Sequence, residues 1–212
     1  MKNSIDAMWL ETENGDNLRL ILADYRLFVS RFVQWIGLTF GKSSDEKVRQ
    51  LLLHNIVEEC GQVDGPASHL ARLDMCLASC GAPTPQTHRP LESTRRIESW
   101  FFDLFSNQDC HTCLSALGPG TESISQQFLV PLKASIRGAF AGEPVDYTYF
   151  DLHRSEVEAV HAEDLDKAIA LVEDKAPPTE RERLLRSRRY WEAETISQHA
   201  AFWAGLRQHL HH

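Results

Sequence analysis

Apolar residues recur at intervals of three and four along almost the whole chain, the spacing that lines one face of an α-helix. The stretch NLRLILADYRLFVSRFVQWIGLTF puts Leu18, Leu20, Ile21, Tyr25, Phe28, Phe32 and Ile36 on a broad apolar face. It predicts one long helix that Gly41 ends. A second helix follows in SSDEKVRQLLLHNIVEECG. Ser44 is its expected cap, Asp45 and Glu46 suit the positive end of the helix dipole, and Gly61 closes it. His69 to Cys80 makes a third, and GAPTPQTHRP is the clearest loop. LESTRRIESWFFDLFSN predicts a fourth helix, and a short fifth runs to Leu117. Thr121 is expected to cap a sixth, reaching Ala141 and kinked at Pro131. A seventh spans Asp146 to Glu173. The last opens in APPTERERLL, where Thr179 and Glu182 have the spacing of a capping box.

Asn-Gly hairpins and long alternating β-branched runs are missing. The pattern predicts an all-α bundle of seven to eight helices, with residues 1–212 as a single domain.

A chain of 212 residues can bury most of its apolar surface without staples, so a metal here would serve chemistry more than folding. The net charge is −8, and no Lys/Arg-rich stripe carries interleaved aromatics, which argues against nucleic acid. No segment approaches 18 uncharged apolar residues, which argues against a membrane span. The N-terminus carries charges where a signal peptide needs an apolar core. The five cysteines form no disulfide framework, and the expected compartment is the cytoplasm. CHTC, Cys110 to Cys113, lacks the second pair or βαβ setting that would mark a zinc or redox site. The aromatics of WFFDLF, Trp100 to Phe105, would suit a homodimer contact or a packed core.

Three stretches could carry chemistry. In HNIVEECGQVDGPASH, Asn55 and Glu59 lie four apart on one helical face, and His54 and Glu58 on the next. A hairpin there can aim Glu59 and His69 at one point, although solvated glutamates read from the same letters. Glu122, after LGPGT, stands in a helix's first turn, where complementing the dipole is its ordinary role. In YFDLHRSEVEAVHAEDL, Glu158 and His161 share a face. His153 precedes His161 by eight residues, about 80° away on an ideal helix, and a π-bulge would close that gap. A charged surface helix is the plainer reading. Together the three stretches offer carboxylates and imidazoles in a ratio that suits iron or manganese, and bundles build dinuclear sites from such inward-facing ligands. Serine triads, Walker loops and Gly-x-Gly-x-x-Gly have no counterpart.

At these residues the sequence resembles the haem-oxygenase-like diiron oxidases and oxygenases, seven-helix bundles that bind two irons and no haem. Asn55, Glu59 and Gly61 match that family's Asn-x-x-x-Glu-x-Gly element, His69 its following His, Glu122 its second Glu, and His153, Glu158 and His161 its last His–acid–His triad. The order and spacing agree from Asn55 to Leu165. The family's triad is His-x-x-x-Asp-x-x-His. Here Val157 occupies the acid's place, and the acid is Glu158, with Glu156 as a substitute. The resemblance implies two Fe(II) ions held by Glu59, His69, Glu122, His153, Glu158 and His161, with O2 as co-substrate. It also implies a small-molecule substrate, an amino acid or a fatty acid, with an external electron donor. Reactions of that family include desaturation, C–C cleavage and N-oxygenation. For an amino acid, Arg96, Arg137, Arg154 and Arg186 are candidate carboxylate anchors.

Two other readings stand beside this one. A thiaminase-like or cofactor-free enzyme on the same fold would use Cys60 or Cys113 as nucleophile. A non-enzymatic helical binding protein would need no metal. Haem oxygenase itself fits poorly, since no His precedes His54.

Overall fold

The computed structural model describes residues 5–62, 65–153 and 156–211, with side chains left out for 156–159. Among the described residues it contains ten α-helices, two short 3-10 helices and no strand. The helices are α1 (Gly15–Val29), α2 (Phe32–Lys42), α3 (Glu46–Cys60), α4 (His69–Cys80), α5 (Glu92–Asn107), α6 (Cys110–Leu117), α7 (Gln126–Ala139), α8 (Thr148–Leu152), α9 (Glu156–Lys175) and α10 (Pro178–Leu210). The all-α class holds. Eight expected helices become ten because two of them are each divided.

The first division falls after Val29. Ser30 Oγ donates to Leu27 O at 2.6 Å, an alternative to the helical ladder, and α2 restarts at Phe32. The apolar pattern runs through this break because both helices face one core: the rings of Phe28 and Trp35 lie 5.1 Å apart. The second division ends α8 at Leu152, with His153 as its C-cap. The expected single helix with a bulge is therefore two helices; residues 154 and 155 lie outside the described residues.

Three expected caps are corrected. Asp45, not Ser44, caps α3 by accepting from Lys47 N and Val48 N. Thr121 donates its hydroxyl to Ala116 O at 2.8 Å and makes no side-chain capping bond; it precedes a 3-10 turn, Glu122–Ile124, that comes before α7. Thr179 lies inside the first turn of α10, which opens on Pro178, a residue pre-set for that position. Helix α7 runs through Pro131.

The 33-residue α10, about 50 Å long, packs along α5 and α6. Helix α3 lies against α2, α4 and α9, and α1 against α4, α5 and α7. Between them stacks an aromatic core: Trp35 on Phe101 at 4.5 Å and on Phe105 at 5.8 Å, and Phe28 on Phe202 at 5.8 Å. Of the aromatics in WFFDLF, Phe101 and Phe105 belong to this core and only Phe102 is exposed. Core packing thus accounts for Phe101 and Phe105.

Candidate metal centre

The site grows from the buried stripe of α3. Val48, Leu52, Asn55 and Glu59 follow one another at four, three and four residues, so the face that packs as aliphatic side chains ends as a carboxylate. Gly61 then turns the chain with φ +68°; a Cβ there would stand 2.5 Å from Pro66 O. Ser68 caps α4 by accepting from Ala71 N, which sets His69 at the helix start, facing inward. His69 Nδ1 lies 2.9 Å from Glu59 Oε1.

Helix α9 supplies His161, which is 1 % exposed. Its Nδ1 stands 3.7 Å from Glu59 Oε1, and its Nε2 2.5 Å from Glu58 Oε2. The His161 and His69 rings lie 5.7 Å apart. His153, buried at the end of α8, donates from Nδ1 to Tyr149 O at 2.7 Å, which in the neutral ring leaves Nε2 as the acceptor nitrogen. Its ring is 5.2 Å from that of His69.

Glu122 comes from the opposite side, on the turn after α6. Gly120 lets that turn press against α10: a Cβ there would meet Thr195 Cβ at 2.7 Å and Ala116 O at 2.8 Å. As a result one ligand atom each from Glu59, Glu122 and His161 falls within a 4.8 Å group. Glu59, His69, Glu122 and His153 also border one cavity of about 50 Å3, space for a few waters or a diatomic gas. Phe28, Phe32, Phe128 and Leu129 form its apolar wall. The hydroxyls of Tyr25 and Tyr149, 2.8 Å apart, form another side.

Of the residues singled out from sequence, Glu59, His69, Glu122, His153 and His161 meet here. Glu158 lies on α9, one turn before His161, and its side chain lies outside the described residues, as does that of Glu156. The arginines stand elsewhere. Arg96 and Arg186 are exposed beside Glu92 and Glu182, Arg137 is exposed on α7, and Arg154 lies outside the described residues. Among the described residues no cysteine joins the ligand group. Burial pushes the Cys113 thiol up to about 12 and raises that of Cys110, which opposes thiolate chemistry. Cys60 is exposed at the end of α3.

Sequence reasoning missed Glu58, which touches His161, and the tyrosine pair. The i, i+4 relation of His54 and Glu58 was the available signal; their partners on α9 lie 110 and 103 residues away. Among the described residues no helix is long and apolar enough to cross a membrane.

Solved structures share this architecture. A CADD-like protein from Nostoc punctiforme aligns over 94 % of this chain and 85 % of its own, with a TM-score of 0.77 and 22 % identity. A TenA homolog from Pseudomonas syringae aligns over 95 % and 83 %, at 0.75 and 14 %. A domain with a heme oxygenase-like fold from Shewanella denitrificans aligns over 94 % and 81 %, at 0.73 and 13 %. The bundle is therefore haem-oxygenase-like. No curated protein matches the sequence. Residues 19–195, from α1 into α10, match the family described as iron-containing redox enzymes, and the chain belongs to that family.

Proposed function

We propose that this protein is an O2-dependent non-haem diiron oxidase or oxygenase. It acts on a small molecule by hydrogen abstraction, desaturation, C–C cleavage or N-oxygenation, in specialised metabolism, with an external electron donor where turnover needs one. The carrying observation is the convergence of Glu59, Glu122 and His161, with His69 alongside, inside the bundle. Burying an ion costs several kcal/mol unless it is compensated, and a core of this size gains nothing from such a cluster for stability alone. Membership in an iron-containing redox family and hard oxygen and nitrogen donors support iron as the compensating charge.

Glu59, Glu122 and His161 would hold one ion; His69, His153 and Glu158 complete the set for two. Bound Fe(II) supplies the electrons for O2 activation. The chain's own contribution is orientation and dryness. Tyr149 O holds the His153 tautomer, and the phenylalanine wall keeps bulk water from the cavity. A haem is not part of the proposal, since α1 and α2 contain no histidine to hold one. Among the described residues no Lys or Arg borders the cavity, which favours an apolar reacting segment. For the carboxylate of an amino acid or fatty acid, Arg154, next to His153 in sequence, is the candidate anchor of the four. Five free cysteines support a reducing compartment such as the cytoplasm.

The test is anaerobic Fe(II) titration of the metal-free protein, followed by O2 uptake with panels of amino acids and fatty acids. Two irons per chain and substrate-dependent uptake are expected. Absence of iron binding would overturn the proposal, and one iron per chain would reduce it to a mononuclear site.

A further inference from the structure

Glu58 is adjacent to a proposed ligand but stands outside the ligand group of Glu59, Glu122 and His161. We propose that Glu58 is a positioning residue. Its carboxylate accepts the Nε2 proton of His161 and thereby presents Nδ1, rather than Nε2, to the metal. The inference rests on the reading of the site as a metal centre and deepens it.

Three observations carry it. The contact is short, 2.5 Å from Oε2 to Nε2, and a carboxylate there only accepts, so the proton belongs to Nε2. The other ring nitrogen, Nδ1, is fully buried and has no hydrogen-bond partner among the described residues, yet stands 3.7 Å from Glu59 Oε1. A buried nitrogen with a lone pair, aimed at a carboxylate and left unpaired by the protein, is the arrangement that a cation completes. Finally, Glu58 is itself held from behind. His54 Nε2 lies 3.6 Å from Glu58 Oε1, and His54 Nδ1 lies 3.0 Å from Asp164 Oδ2, so a row with its two middle members on α3 and its two ends on α9 steadies the carboxylate. Both ends of the row, His161 and Asp164, are buried, and His54 between them is half exposed.

The consecutive pair therefore divides its labour. Glu59 points along the buried stripe toward the ion; Glu58, about 100° around the helix, supports the imidazole that binds beside it. Were Glu58 a ligand itself, an ion would have to stand where its oxygen already meets Nε2.

Co(II) is the probe, added anaerobically to the metal-free full chain, with its visible absorption reporting affinity and stoichiometry. Wild type, Glu58→Ala and Glu58→Gln are compared. Glu58→Ala is expected to weaken Co(II) binding by about 10- to 100-fold with the number of ions per chain unchanged. Glu58→Gln is expected to lose less, because its amide oxygen can still accept from Nε2. Long-range 1H–15N spectra of the metal-free proteins provide a readout independent of loading: His161 carries its proton on Nε2 in wild type and Glu58→Gln. Unchanged Co(II) affinity in both variants, with wild type binding normally, would overturn the inference alone. So would an Nδ1-protonated His161 in wild type, or loss of one ion per chain in Glu58→Ala, which would make Glu58 a ligand. A wild type that takes up no metal would instead overturn the metal centre. If Glu58→Ala fails to fold, Glu58→Gln and the wild-type tautomer still decide.

Discussion

His69 and His161 hold their rings 5.7 Å apart and 25° from parallel, and both turn Nδ1 toward the same atom, Oε1 of Glu59. Three helices, α3, α4 and α9, thus converge on one carboxylate oxygen. Its close contacts to imidazole nitrogens among the described residues run to those two rings.

Glu59→Gln preserves the shape of that carboxylate and removes its charge. Metal content is expected to fall by at least about tenfold, the scale of even an indirect partner's loss. The fold should survive, since among the described residues no Lys or Arg is left unpaired. Metal analysis of the purified variant beside its thermal melt checks both halves.

His199 gives the protein an acid-side weakness. It is buried among Phe28, Phe101 and Phe128 and meets Thr121 Oγ1 at 3.2 Å. Burial depresses its pKa to about 3. The unfolded chain takes up that proton below about 6.5 and the folded chain does not until about 3. Stability therefore falls as pH drops through that window, by roughly 2 kcal/mol at pH 5 from this group. The difference in Tm between wild type and His199→Gln, followed from pH 8 to 5, should shrink or reverse on the acid side. A pH-independent difference would contradict it.

Gly120→Ala is expected to cost about 1–3 kcal/mol through overpacking against Thr195 and Ala116 O. The strain lies two residues before Glu122, so metal affinity should fall with stability. Urea unfolding and Co(II) titration of one sample measure both. Gly138→Ala, whose added methyl meets nothing within 4 Å, is the control expected to leave both unchanged or slightly improved.

Asp24 ties the loop before α5 to α1. It is fully buried and accepts from Leu91 N at 2.9 Å, His88 Nε2 at 2.7 Å and Thr94 Oγ1. Asp24→Ala leaves three donors without an acceptor, for an expected loss of about 3–5 kcal/mol. In a chain of this size that lowers Tm by roughly 10 °C. Calorimetry decides, and a shift of a degree or two would show the clasp to be unimportant.

Helical periodicity made most of the bundle legible, because one core demands the same spacing from every element that faces it. That same uniformity hid the breaks. Nothing in the apolar pattern changes at Ser30, where a single hydroxyl bond to Leu27 O helps divide the helix. Capping was misread where several candidates adjoin, as with Ser44 and Asp45, since only geometry decides whose oxygen reaches the free amides. The approach of His69 to Glu59 was readable because a helix end and a glycine turn place both locally. Nothing near Glu58 in the sequence signals its contact, because its partner His161 is 103 residues away. The arginines had no local signal at all, and Arg96 and Arg186 pair with glutamates on their own helices.

The placement of Glu58 and Glu59 side by side on α3 also constrains how this gene can change. A substitution can alter either carboxylate alone. A one-codon insertion or deletion between Val48 and Asn55 would rotate both by about 100° relative to the buried stripe, moving Glu59 away from His69 and Glu58 away from His161 in one step. Length variation among descendants of this sequence should therefore collect in the turn after Gly61 and be purged from the two helical turns before it.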